Sequence, residues 1–153
     1  MLKKIVQFII SILVCLSAGF IGSLFTTPNI PVWYSALQKP TFSPPNWLFA
    51  PVWTTLFILM GISLYLILQK QNNKKAISIF TIQLILNIAW SFSFFALQNP
   101  LYGLINILFL LILIILTITN FYKLNKTSAY LLLPYLLWVS FATILNFYLY
   151  RLN

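Results

Sequence analysis

The chain has no aspartate, no glutamate and no histidine among its 153 residues, and that absence removes most enzyme chemistry at the outset. General acid–base pairs, nucleophile triads and nearly all metal sites are built from carboxylates and imidazoles. No metal site is therefore expected, and no cofactor is required. Cysteine occurs once, as Cys15 inside an apolar run, where a thiol is most simply a small packing group; it implies neither a disulfide nor a redox compartment. Negative charge is missing altogether, so nine Lys and Arg leave a net charge of +9. These cations lie scattered between apolar runs and form no stripe. Nucleic acid is thus not an expected partner, whereas the anionic headgroups of a lipid bilayer are.

With 61% hydrophobic and 6% charged residues, the composition lies far outside that of soluble domains. The solvent for this chain is lipid, and the expected fold is all-α: a single domain, an integral membrane bundle of five transmembrane helices. The first apolar run, 5–25, would span roughly 30 Å at about 1.5 Å per residue. A cleaved signal peptide is the rival reading, with Leu16-Ser17-Ala18-Gly19 as its small-residue site, but the apolar run continues beyond it. Ser11, Cys15, Ala18 and Gly22 recur at helical spacing, a stripe along which a neighbouring backbone could approach closely.

Five prolines between Thr26 and Pro45 argue against a continuous helix there, and the segment 26–45 is expected to be a lid loop with a short helical piece at 33–38. Asn46 is expected to cap a second helix over 46–69. Helices over 76–97, 101–122 and 128–150 follow, the last capped by Thr127 or Ser128 and kinked at Pro134. Lys3, Lys4, Lys70, Lys74, Lys75, Lys123 and Lys126 then share one side of the membrane, against Lys39 and Arg151 on the other. That bias predicts a cytoplasmic N-terminus, with the lid loop and C-terminus outside, in the cytoplasmic membrane of a bacterium.

The stretch Trp33 to Trp53 holds three of the five tryptophans and four of the eight prolines. Elsewhere the informative features are intramembrane amides and aromatics on one helical face. Gln83, Asn87, Trp90 and Phe94 form such a stripe in helix three; Trp138, Ala142 and Asn146 form another in helix five; Trp53, Phe57 and Gly61 a third in helix two. Turned towards one another, they would enclose an aromatic cavity suited to a flat apolar ligand. The plainer alternative is interhelical hydrogen bonding by the amides, favoured for Gln83 and Asn106, with tryptophans as interfacial belts. Helix four, almost unbroken Leu and Ile, suits the lipid-facing periphery. Leu145, Tyr148 and Arg151 fit the weak pattern proposed for sterol contact.

Several of these blocks, in order, resemble the TspO/MBR family of tryptophan-rich sensory proteins, also called translocator proteins or peripheral benzodiazepine receptors. The resemblance rests on Trp33-Tyr34-Ser35-Ala36-Leu37-Gln38-Lys39-Pro40 with Phe42, Pro44 and Pro45, on Val52-Trp53, on Asn87 and Trp90, and on Leu133-Pro134-Tyr135-Leu136 with Trp138, Phe141-Ala142 and Asn146. It implies a homodimer and a cavity for porphyrins, haem or benzodiazepine-type drugs, with cholesterol as a ligand of animal members. Carried over, the ligand-binding residues are Trp33, Tyr34, Trp53, Phe57, Asn87, Trp90, Trp138, Ala142 and Asn146. The acidic residues common in the first motif are Ser35 and Gln38 here, which leaves Lys39 or Arg151 to meet a ligand carboxylate. The expected role is tetrapyrrole sensing, sequestration or transport without chemistry. The alternative is light-dependent oxidative degradation of protoporphyrin, with Trp53 and Trp138 as the reacting residues. Coupled transport ranks lower, because no ionisable residue lies inside a span to couple an ion.

Overall fold

A computed structural model describes residues 2–153. Its elements are α1 (Leu2–Thr26), continued by a 3₁₀ turn (Thr27–Asn29) and a π turn (Ile30–Tyr34); a 3₁₀ turn (Asn46–Leu48) leading into α2 (Phe49–Leu68); α3 (Lys74–Ser91), continued by a π turn (Phe92–Ala96); α4 (Pro100–Leu124); α5 (Lys126–Leu131); and α6 (Leu133–Leu152). Together they make five helical spans, each long and apolar enough to cross a membrane. The protein is an all-α membrane bundle. A helix is the natural choice in lipid because it satisfies every backbone hydrogen bond within its own segment.

Four features of the helix ends and breaks differ from the reading of the sequence. The first span does not stop at Phe25: helical backbone continues past Pro28 and Pro31 to Tyr34. Each proline falls in the first two positions of a 3₁₀ or π turn, where its missing N–H leaves no α-type bond broken. Two side chains also bond back onto the helix in this stretch. Thr26 Oγ1 donates to the Gly22 carbonyl (3.1 Å) and Asn29 Nδ2 to the Phe25 carbonyl (2.8 Å). The non-helical part of the predicted loop is therefore only residues 37–45, a strap tightened by a turn in which the Ser43 N–H donates to the Pro40 carbonyl (3.0 Å).

Asn46 makes no capping bond; Pro45 occupies the cap position and Asn46 opens the 3₁₀ turn. The cap of the fifth span is Asn125, not Thr127 or Ser128: its side chain accepts from the Ser128 N–H (3.1 Å). Asn99 caps α4 the same way, accepting from Leu101 and Tyr102. The break expected at Pro134 is present two residues earlier, at Leu132 between α5 and α6, because a proline disturbs the residues that precede it.

The spans close in the order one, two, five, four, three: α1 packs on α2 and α3, α3 on α4, α4 on α5 and α6, and α2 on α5. The buried residues of α1 are Ser11, Cys15, Ala18 and Gly22, the small-residue stripe. It faces α2 closely enough that a Cβ on Gly61 would lie 2.5 Å from the Ile12 Cα. On α4, Ile107, Leu110, Ile114 and Phe121 turn inward while Leu108, Phe109, Ile112 and Ile115 stay exposed, so the fourth span is peripheral on one face.

The half of the bundle that carries most of the lysines is solidly filled. Met60, Ile67, Phe80, Phe121 and Leu132 are almost completely buried there, with Phe80 stacked on Phe121 at 5.6 Å. A reciprocal pair locks α2 to α5: the Ser63 hydroxyl donates to the Ser128 carbonyl and the Ser128 hydroxyl to the Ser63 carbonyl, both at 2.8 Å. Because the Gly61 contact is to backbone that cannot rotate away, Gly61→Ala is expected to destabilise the bundle by about 1–3 kcal/mol. Thermal unfolding in detergent measures this, and an unchanged midpoint would show that α1 and α2 can part without cost.

Candidate functional site

The opposite half of the bundle, nearer the strap, is hollow: it encloses a cavity of about 410 Å³. That volume lies within the range of small-molecule sites. The reason lies in the sequence. Where α1 passes the cavity it carries Ala18, Gly19, Gly22 and Ser23, too small to fill the space between α2 and α3. Gly19 leaves just enough room for the Phe57 ring, which a Cβ there would meet at 2.6 Å. Opposite, α6 presents Ala142 between Trp138 and Asn146. Further along, Ile30 and Tyr34 from the helical continuation of the first span, with Asn46 and Phe49 at the start of the second, narrow the open end.

Aromatic rings make the walls. Trp53 stacks on Phe57 with centroids 5.6 Å apart, and Trp90 on Phe94 at 5.3 Å. Trp138 lies 6.0 Å from Phe49, edge to face. The π turn at Phe92–Ala96 inserts an extra residue per turn, and both Phe94 and Phe95 are buried beside Tyr34. Rings locked against one another lose little further freedom when a flat ligand slides between them.

Two short polar chains fix these walls. In the first, the Tyr135 hydroxyl donates to Gln83 Oε1 (2.9 Å) and accepts from Asn87 Nδ2 (2.9 Å), while Trp53 rests against the Tyr135 ring at 6.2 Å. In the second, Trp90 Nε1 donates to Asn146 Oδ1 (3.1 Å) and Asn146 Nδ2 to the Pro100 carbonyl (2.8 Å). Both amide functions of Asn146 are thus used by the protein, and Asn146 positions Trp90. Asn87 keeps its Oδ1 free of a protein partner and lines the cavity, so it is the amide acceptor of these chains left over for a ligand. The indole N–H of Trp138 has no partner either. Gln83 hydrogen-bonds between helices as expected, whereas Asn106, expected to do the same, keeps a buried Oδ1 with no partner.

No charged side chain lines the cavity among the described residues. The nearest cation is Lys39, whose Nζ stands 4.7 Å from the centroid of the Tyr34 ring and donates to the Ser35 and Leu37 carbonyls. Arg151 is exposed at the end of α6.

Of the residues singled out in the sequence, Tyr34, Trp53, Phe57, Asn87, Trp90, Trp138, Ala142 and Asn146 come together on the wall. Trp33 does not. It packs edge-on behind Phe94 and Phe95 at 5.2 and 6.1 Å and supports the wall from outside. The sterol-pattern residues divide: Leu145 lines the cavity, whereas Tyr148 is exposed against Phe42 and Arg151 is exposed. The contribution of α1 and of Asn46 and Phe49 was not anticipated. The small-residue stripe of α1 was its only signal, and it also reads as plain packing.

Replacing Tyr135 by phenylalanine would orphan Gln83 Oε1 and Asn87 Nδ2 together. An expected loss of about 1–3 kcal/mol follows from leaving buried polar atoms unmet, and thermal unfolding of Tyr135→Phe checks it.

Comparison with known proteins agrees with this architecture. The sequence profile of the TspO/MBR family matches residues 11–151. The chain is 48% identical over 152 residues to the tryptophan-rich protein TspO of Archaeoglobus fulgidus, covering 98% of this chain and 99% of that protein. It is 46% identical over 155 residues to its namesake in Chlorobaculum tepidum, covering 99% and 98%. To the human translocator protein it is 36% identical over 139 residues, covering 88% and 82%. A profile spanning nearly the whole chain, near-full-length relatives and a five-span bundle with a tryptophan-lined cavity together place this protein in the TspO/MBR family.

Proposed function

We propose that this membrane protein binds a porphyrin in the cavity between its first, second, third and fifth spans, and that it senses, sequesters or passes on tetrapyrroles without altering them. The observation that carries this reading is the wall itself: Trp53, Trp90 and Trp138 converge on one uncharged cavity, which suits a flat apolar ring system. Asn87 Oδ1 is an acceptor placed to meet an N–H of such a ring. Of the usual axial ligands of haem iron, the lining offers only the Tyr34 phenol among the described residues, with no His, Cys or Met. That favours a metal-free porphyrin over haem. The ring carboxylates would project towards the open end, where Lys39 is the nearest cation.

A second reading is light-driven oxidation of the bound porphyrin by dioxygen, in which electrons pass from the ring to dioxygen and a cavity indole serves as a one-electron relay that is restored within the same cycle. Trp53 and Trp138 both line the cavity, and the Trp138 N–H is not tied up by a hydrogen bond, unlike that of Trp90. Such chemistry needs no carboxylate or imidazole, and the chain has none.

The lysine-rich ends of the spans define the cytoplasmic side in this proposal, and the strap and Asn153 lie across the membrane from it. Impermeant thiol reagent applied to intact cells should label a Ser35→Cys variant and not an Asn72→Cys variant; the reverse pattern would invert the topology.

Titrating detergent-purified protein with protoporphyrin in the dark should quench tryptophan fluorescence saturably. Trp138→Phe should weaken binding roughly 2- to 10-fold, the worth of one aromatic contact. Absence of saturable quenching would sink the porphyrin reading. Illuminating the same samples separates the two functions: a new absorbing product that needs Trp138 would establish degradation, and an unchanged porphyrin spectrum would leave binding as the function.

A further inference from the structure

The two polar chains of the wall differ in one chemical respect. In the chain through Asn146 both ends have fixed polarity: the Trp90 indole N–H can only donate and the Pro100 carbonyl can only accept. The carboxamide between them therefore has one orientation. In the chain through Tyr135 no member is fixed. Gln83 and Asn87 each carry a donor and an acceptor on one flat group, and the hydroxyl between them both donates and accepts.

The Tyr135 hydroxyl donates to Gln83 Oε1 and accepts from Asn87 Nδ2, both at 2.9 Å, which leaves Asn87 Oδ1 to the cavity. Turning both amides end over end and rotating the hydroxyl remakes every bond in the opposite sense. Gln83 Nε2 then donates to the Tyr135 oxygen, the Tyr135 hydroxyl donates to Asn87 Oδ1, and Asn87 Nδ2 faces the cavity. Two hydrogen bonds are made either way, and either way one end of Gln83 is left over. Among the described residues no other group hydrogen-bonds any of the three side chains, so nothing in the protein breaks the tie. The end of Gln83 now left over is Nε2, on a residue only 1% exposed. A buried donor without a partner is costly, and a side chain without one would serve the present orientation equally well. The unused Nε2 has a role only in the reversed chain.

We propose that Gln83, Tyr135 and Asn87 form a reversible relay that sets the polarity of the cavity. Asn87 presents its oxygen to a ligand N–H and, after reversal, its nitrogen to a ligand acceptor. Gln83 does not line the cavity; it is a positioning residue that permits both senses through Tyr135. The proposal rests on the reading of the cavity as a site for flat apolar ligands, and it widens that class to flat rings bearing either a donor or an acceptor.

Three flat three-ring probes test the relay through saturable quenching of tryptophan fluorescence in lipid nanodiscs: carbazole with one N–H donor, acridine with one ring-nitrogen acceptor, and anthracene with neither. A Trp138→Phe background removes the other unpaired N–H of the wall. That background protein should bind carbazole and acridine each more tightly than anthracene. Added to it, Gln83→Met offers Tyr135 a weak acceptor and no donor, which holds the Asn87 oxygen towards the cavity. The carbazole-to-acridine affinity ratio should then rise about 3- to 10-fold, the worth of one neutral hydrogen bond. Gln83→Leu offers neither. The Tyr135 proton then turns to Asn87 Oδ1, because an orphaned donor costs more than a spare lone pair, and the ratio should fall by a similar factor. Equal ratios in the two variants, or a higher ratio in Gln83→Leu, overturn the relay. If anthracene binds as well as the other two, the cavity reading stands and the relay alone is overturned; if none of the three binds even the unaltered chain, the cavity reading itself has failed. A second readout needs no variant. In the reversed chain one Gln83 Nε2 proton is hydrogen-bonded, so the Gln83 side-chain amide resonance of the unaltered chain should move downfield with acridine bound and not with carbazole. Identical Gln83 resonances in the two complexes overturn the proposal.

Discussion

In hydrocarbon there is no water to satisfy an indole N–H, an amide or a free carbonyl, and every such group placed inside the bundle needs a protein partner or a ligand. This chain has no carboxylate or imidazole to serve as that partner. It relies on neutral groups: Gln83, Tyr135 and Asn87 in one chain, and Trp90, Asn146 and the Pro100 carbonyl in the other. These bonds join the third span to the fifth, and the fifth to the start of the fourth. They hold Trp53 and Trp90 in place, and the cavity follows from them.

Around those chains the bundle divides into two halves of different character. One is filled with close-packed aliphatic and phenyl side chains and locked by the Ser63–Ser128 pair. The other is kept open by small residues on α1 and by Ala142, with stacked rings that are too rigid to collapse into the gap. Packing elsewhere in proteins leaves few voids larger than a water molecule. A cavity of about 410 Å³ ringed by three tryptophans is therefore a built feature of this fold. Its polarity is sparse, with a free acceptor on Asn87 and, among the described residues, the nearest cation at the margin, on Lys39.

Much of this was legible in the residues. Five apolar runs of membrane length, amides and tryptophans on shared faces of helices two, three and five, and the stripe of Ser11, Cys15, Ala18 and Gly22 all reappear as structure. The faces were legible because a helix repeats every 3.6 residues whatever surrounds it. Helix ends were less so. The backbone runs past Pro28 and Pro31 because each falls at the start of a 3₁₀ or π turn, and Asn125 takes the cap expected of Thr127 or Ser128. Such outcomes turn on competition between neighbouring side chains, which spacing does not rank.

What the sequence by itself determined is the solvent, the number of spans, and which residues are barred from chemistry, because composition and run length decide these without reference to any contact. Only the tertiary structure decided which aromatic residues face the cavity and which stand behind it. Trp33 and Tyr34 are adjacent in one motif, yet Tyr34 lines the cavity and Trp33 backs Phe94 and Phe95. It likewise decided that α1 is a wall, that Asn146 is spent on Trp90, and that Asn153 reaches back 115 positions to Gln38. Each of these depends on how far one helix lies from the next, a distance set by the packing of all five spans at once.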